Sequence, residues 1–293
     1  MDINVALVRK LVDTQFSEWA DLPIKSVDID GHDNRTFRLG DTMSVRMPSA
    51  ECYSEQVIKE HKWLGQLSPL LPIPIPVPLA LGNPSQDYPW QWSINQWLEG
   101  ENASLERIDD LNLFASSLAN FLSDLQRINT TGGPLPGKHN FYRGGPLATY
   151  DTETRDTIER LQGKIDTHGA MAVWETALDS EWQADPVWLH GDFSADNLLV
   201  QHGRLTAVID YGCLGLGDPA CDLTICWTLL YGESRETFIS ALPLDKQTWE
   251  RGRGWALWKG LITLLENIDS NPRAAGRAHH VINEVIAEFN ILA

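Results

Sequence analysis

The stretch that most constrains this 293-residue chain is VWLHGDFSADNLLVQHGRLTAVIDYG, residues 187–212. Leu198 to Val200 and Leu205 to Ile209 are short apolar runs joined by Gln201-His202-Gly203-Arg204, a pattern that predicts a tight β-hairpin. Asp192 and Asn197 stand just before the first strand and Asp210 just after the second. Antiparallel pairing therefore brings two carboxylates and a carboxamide to one end of the hairpin. Oxygen donors gathered in this way suit a hard cation such as Mg2+, which takes one or two protein carboxylates and completes its shell with phosphates and water. Asn197 and Asp210 can supply such oxygens, which leaves Asp192 to accept the proton of a hydroxyl attacking a phosphoryl group.

The remainder changes pattern near residue 99. Ile3, Leu7, Val8 and Leu11 have helical spacing, and IKSVDID (24–30), RTFRL (35–39) and TMSVRM (42–47) read as three short strands of a meander. In the following helix Tyr53, Val57, Leu64 and Leu67 form an apolar stripe, and Glu60 falls on that same stripe. A carboxylate there needs a partner. Seven of the sixteen prolines lie between residues 69 and 89 and exclude a helix or a central strand, whereas YPWQWSINQWLEG is rich in strand formers. Beyond the polar EGENASL (99–105), the stripe Leu111, Phe114, Leu118, Phe121, Leu125 and Ile128 predicts an amphipathic helix, and the C-terminal third is helical in pattern.

Three strings occur in order over residues 190–223: HGDxxxxN from His190 to Asn197, Asp210-Tyr211-Gly212, and Gly217-Asp218-Pro219-Ala220-Cys221-Asp222-Leu223. Together they resemble the aminoglycoside phosphotransferase family, small-molecule relatives of the protein kinases, whose catalytic loop and following Asp-Phe-Gly have comparable spacing. The resemblance covers nearly the whole chain. It implies an α+β, bilobal protein-kinase-like fold, with a sheet-rich nucleotide-binding N-lobe over 1–98 and a mainly helical C-lobe over 99–293. It implies Mg2+-dependent transfer of the γ-phosphoryl group of ATP or GTP to a small-molecule hydroxyl, with Asp192 as catalytic base and Asn197 and Asp210 as metal ligands.

The strand lysine of kinases is replaced here by Arg46 in SVRMP, to be paired with Glu60. Arginine keeps its charge and offers a fork that can meet both a carboxylate and a phosphate. This N-lobe pattern is similar to the macrolide phosphotransferase branch. By the same resemblance, backbone amides of Gly31, His32 and Asn34 would cap phosphates, although GHDN equally suits an ordinary turn, and the backbone of Gln96 and Leu98 would hold the base at a hinge. His190 reads as a structural residue of the loop, Asp218 as a helix cap before Pro219, and Asp222 as a brace for the catalytic loop. Trp227, Trp255 and Trp258 read as core packing first, with the lining of an acceptor cleft as the alternative.

The formal charge of −17 argues against a nucleic-acid partner, because such binding runs on Lys and Arg. Residues 1–98 hold 12 acidic and 8 basic residues, so most of the excess lies beyond residue 98. That acidity suits a polycationic acceptor such as an aminoglycoside, and equally suits plain solvation. A macrolide, a sugar or an amino alcohol also stays open as acceptor, as do a nucleotide-binding pseudokinase and a hydrolase using paired carboxylates. No run of 18 apolar residues is present, and four cysteines without metal-ligand spacing read as reduced thiols of a cytoplasmic protein with no membrane partner.

Overall fold

The computed structural model describes residues 2–27 and 33–292. Its N-terminal part combines helices α1 (Val5–Gln15) and α2 (Ser54–Leu67) with strands β1 (Ile24–Ser26), β2 (Asn34–Leu39), β3 (Met43–Pro48), β4 (Pro78–Gly82) and β5 (Trp92–Gln96). These strands form one antiparallel sheet in the order β1-β2-β3-β5-β4. The proline-rich segment thus contributes an edge strand, where Pro78 disturbs no inner ladder. Along β3 the side chains alternate: Met43, Val45 and Met47 enter a core with Val8, Leu11 and Val12 of α1, together with Trp92 and Ile94. The intervening Arg46 is thereby directed to the opposite face.

The C-terminal part begins with β6 (Glu101–Asn102) and α3 (Leu111–Arg127), followed by α4 (Asp151–Arg160) and α5 (Thr167–Leu178). Next come β7 (Val187–Leu189), β8 (Leu198–Gln201), β9 (Arg204–Val208) and β10 (Gly215–Gly217). Helices α6 (Ile225–Thr228), α7 (Gly232–Ala241), α8 (Lys246–Asn267) and α9 (Pro272–Leu292) complete the chain. The expected hairpin is β8–β9, with Leu198 opposite Val208. His202 and Gly203 at its tip both have positive φ, 48° and 72°, as in a type I′ turn. Two further pairings, β6 with β8 and β10 with β7, frame this hairpin.

A large apolar core runs through α3, α5, α8 and α9 and takes in Trp227, Trp255 and Trp258, all three buried. It also reaches back to Trp63, Leu64 and Leu67 of α2 and to Leu71 and Ile75. The end of α2 therefore sits in the larger core while Glu60, one turn earlier, lies beneath the sheet face that carries Arg46.

Candidate active site

The loop after β7 is fastened from two sides. Gly191 has φ +84°, and a Cβ there would stand 2.3 Å from the carbonyl oxygen of Cys213, so the position requires glycine. The amides of His190 and Gly191 donate to the two carboxylate oxygens of buried Asp222, each at 2.7 Å. Burial pushes the Asp222 carboxyl up, while His190 and the two amides pull the other way. The amide of Asp192 donates to His190 Nδ1 at 3.2 Å, so the imidazole proton is on Nε2, which donates to the carbonyl of Ile209 at 2.9 Å. His190 is thus a strut between the loop after β7 and the Asp210 turn, and Asp218 caps the turn after it by accepting from Ala220 N–H.

The hairpin brings Asp192, Asn197 and Asp210 together. Asn197 Nδ2 donates to the Asp192 carbonyl at 2.8 Å and to its Oδ2 at 3.2 Å, and Ile209 N–H donates to the Asn197 carbonyl at 2.8 Å. With its nitrogen turned to Asp192, Asn197 keeps its side-chain oxygen for another partner. Asp210 adopts a left-handed backbone, φ 62° and ψ 73°, unusual for a non-glycine residue, and its carboxylate is half-exposed. Among the described residues no group of three or more His, Cys, Asp or Glu could hold a metal ion unaided. One carboxylate and one amide oxygen nevertheless fit the hard-donor set that Mg2+ takes from a protein when phosphates supply the rest.

Arg46 faces this trio. Its Nη2 makes an ion pair with Asp210 and stands 3.5 Å from Glu60 Oε1, an oxygen with no hydrogen-bond partner among the described residues. The expected Arg46–Glu60 pair is therefore present but longer than the contact to Asp210. Asn34, with its amide oxygen turned to the guanidinium, accepts from Nε at 3.2 Å and Nη2 at 3.0 Å. Burial pulls the Arg46 pKa down, and Asp210 and Glu60 override it, so the guanidinium is held firmly charged. Burial pushes the Glu60 carboxyl up, with Arg46 opposing.

The other anticipated nucleotide contacts are distributed unevenly. Gly31 and His32 lie outside the described residues, and Asn34 opens β2 with its side chain on Arg46. At the expected hinge the Gln96 amide donates to Val77 O at 2.8 Å, and Leu98 lies two residues beyond the end of β5.

Three cations near this site carry no mark in the motifs. Lys59, beside Glu60, donates to the carbonyls of Gly212 at 2.7 Å and His139 at 3.2 Å, tying α2 to the Asp210-Tyr211-Gly212 turn. Lys259 of α8 makes an ion pair with Asp192 Oδ1. Arg143 acts on Asp192 electrostatically. Burial pushes the Asp192 carboxyl up, but Lys259, His190 and Arg143 together hold it below the usual carboxylate range. Adjacency to Glu60 was the available signal for Lys59; no spacing rule reaches from Asp192 to Lys259.

The sequence model of the Phosphotransferase enzyme family matches residues 26–255. Over 46 residues the chain is 48% identical to an aminoglycoside 3'-phosphotransferase of Escherichia coli, a stretch that covers 16% of this chain and 17% of that protein. Among solved structures, the GDP complex of wild-type aminoglycoside 2'-phosphotransferase-IIIa superposes with a TM-score of 0.73 at 16% identity, covering 98% of this chain and 99% of that one. The apoenzyme of macrolide 2'-phosphotransferase from Brachybacterium faecium gives 0.60 at 20% identity, covering 92% and 97%. At such identities the likeness is one of fold, and it extends over nearly the whole of each chain.

Proposed function

Given that the chain belongs to the phosphotransferase enzyme family, we propose that it transfers the γ-phosphoryl group of a nucleoside triphosphate, ATP or GTP, to a hydroxyl of a small molecule. The observation that carries this reading is the convergence of Asp192, Asn197 and Asp210 at one end of the β8–β9 hairpin, opposite Arg46. In the reaction the acceptor oxygen bonds to the γ-phosphorus, the bond to the β–γ bridging oxygen breaks, and the nucleoside diphosphate departs. The hydroxyl proton passes to Asp192, whose carboxylate is kept ionised by its neighbours. Arg46, held by Asp210, Glu60 and Asn34, would pair with phosphate oxygens through its fork. Asn197 and Asp210 would hold Mg2+, which supplies neutralisation of phosphate charge when bound.

Gln96 and Leu98 are the backbone positions proposed to hold the base, and residues 1–98 and 99–293 the two lobes between which the nucleotide lies. The curated and structural relatives named above act on aminoglycosides and macrolides, so these are the first acceptors to try, beside sugars and amino alcohols. Asp192→Asn is expected to abolish acceptor-dependent turnover while leaving nucleotide binding intact. Asp210→Ala is expected instead to lose Mg2+-dependent nucleotide binding. Steady-state kinetics and nucleotide titration of both variants check this, and full turnover by Asp192→Asn overturns the assignment. Full-rate phosphate release without any hydroxyl compound would favour a hydrolase.

A further inference from the structure

Two cations flank Asp192 without belonging to the motif residues or to the nucleotide contacts. Lys259 Nζ is on Asp192 Oδ1, and both side chains are about a third exposed, at 35% and 36%, so a solute can reach them. The second cation, Arg143, lies on a loop pinned against the catalytic strands. The carbonyl of the next residue, Gly144, accepts from Asp218 N–H, and a Cβ at Gly144 would meet Leu189 of β7 at 2.3 Å. Phe141 and Tyr142, immediately before Arg143, both take positive φ, 51° and 54°. Two consecutive non-glycine residues in that region are costly, and such cost is retained where a side chain must be aimed.

What is aimed is the Arg143 guanidinium. It lies over the rings of Trp258 at 4.5 Å, Trp255 at 5.1 Å and Tyr150 at 5.8 Å. The platform is itself fixed, because Trp258 Nε1 donates to Glu153 at 2.7 Å and Tyr150 donates to the Phe141 carbonyl. Among the described residues Arg143 has no ion-pair partner, and its Nη1 is buried without a hydrogen bond. A buried guanidinium donor is costly to leave unpaired. Trp255 and Lys259 are four residues apart on α8, so they share a face, and one helical turn rises about 5.4 Å. The rings on which the guanidinium stacks thus lie within about one turn of Lys259 along α8, and Arg143 acts electrostatically on the same Asp192 that Lys259 pairs with.

We propose that Arg143 and Lys259 form an anion subsite on the acceptor side of Asp192, and that the natural acceptor is an alcohol carrying a carboxylate or phosphate close to its reacting hydroxyl. This rests on the phosphotransfer reading above and narrows its acceptor. A polycation would have to place an ammonium beside the Arg143 guanidinium, while Lys259 already occupies Asp192 Oδ1. Of the acid-rich run before the catalytic loop, Asp151 is paired with Arg155 and Asp166 caps α5, while Glu153 accepts from Trp258 behind the aromatic platform.

The test compares acceptors matched except in charge: glycerol, D-glycerate, glycerol 3-phosphate and serinol, with kanamycin and erythromycin alongside. Transfer is followed by nucleoside diphosphate release and by mass of the product, and binding by calorimetry in the presence of the diphosphate. The anionic members are expected to exceed glycerol by tenfold or more in kcat/KM or in affinity, with serinol and kanamycin weakest. The glycerate and glycerol 3-phosphate arms separate carboxylate from phosphate. Arg143→Met is expected to raise KM or Kd for the anionic members about tenfold while leaving the nucleotide KM unchanged, and Lys259→Arg to retain the preference that Lys259→Met loses.

Preference for neutral or cationic members, or no binding of either anion, overturns the subsite. An equal loss for all acceptors and for acceptor-free nucleotide turnover in Arg143→Met also overturns it, and assigns the cations to the transferred phosphoryl group. Absence of nucleotide binding and of transfer to every compound, antibiotics included, is the separate failure of the phosphotransfer reading.

Discussion

Lys59 carries its ammonium into the contact between α2 and the Asp210-Tyr211-Gly212 turn, where three carbonyl and imidazole acceptors meet it. Burial lowers its pKa from 10.5 to about 8, the Arg46 charge adding to the effect and Cys213 and Glu60 opposing it. Because the folded value lies below the unfolded one, the unfolded chain binds more protons between about pH 8 and 10.5, and this group's contribution to stability rises with pH across that window. Denaturant midpoints at pH 7.5 and 9.5 should therefore shift upward in the wild type relative to Lys59→Met. A parallel response of the two proteins would remove Lys59 as the cause. At this scale the sequence was informative wherever a residue sat in a spaced motif: His190 as a strut and Asp222 as a brace follow from their positions in HGD and GDPxxDL. It was silent for Arg143, which lies in a loop whose backbone is shaped by contacts with β7 and β10.

Among the elements, α2, α3 and the β8–β9 hairpin were legible because their apolar residues repeat with the period of the structure they form. Strands β6, β7 and β10 were not, since two or three residues are too few for alternation to register and exist as strands only through their partners. Helix α8 was legible from the stripe Leu257, Leu261, Leu264, Leu265 and Ile268, but its first half, from Thr248 to Trp258, is buried nearly all round and carries internal polar contacts. Arg251 on α8 pairs with Asp218 through Nε at 2.6 Å, with the two side chains only 4% and 6% exposed. Ser180 and Thr248 accept from the same guanidinium. Removing one partner of such a pair leaves an uncompensated buried charge, so Arg251→Met is expected to cost about 3–5 kcal/mol. Urea unfolding measures it, and a loss within 1 kcal/mol would show that water reaches the site.

For the whole molecule, the acidic residues fall into those gathered at the candidate site, those that hold backbone amides, and those left to solvent. Asp192 and Asp210 converge on the site, Glu60 lies behind Arg46, and Asp222, Asp218 and Asp166 hold backbone amides. A nucleotide lodged against both the sheet-rich and the helical parts would bind only the folded chain. At 100 times its Kd such a ligand stabilises by about 2.7 kcal/mol. Thermal unfolding with Mg2+ and a nucleoside triphosphate should show that increment in the wild type and lose it in Asp210→Ala; an equal rise in both proteins would place the binding elsewhere.

The sequence by itself determined the family, the hairpin and the grouping of Asp192, Asn197 and Asp210, because these lie within 19 residues and a tight turn leaves the chain few alternatives. The tertiary structure alone decided that Arg46 leans on Asp210, 164 residues away, and that Lys259 reaches Asp192 across 67. Local periodicity orders neighbours along one element. Contacts between elements are set by how β3 and α8 are carried to the hairpin by the packing of two cores, and no spacing within the chain encodes that.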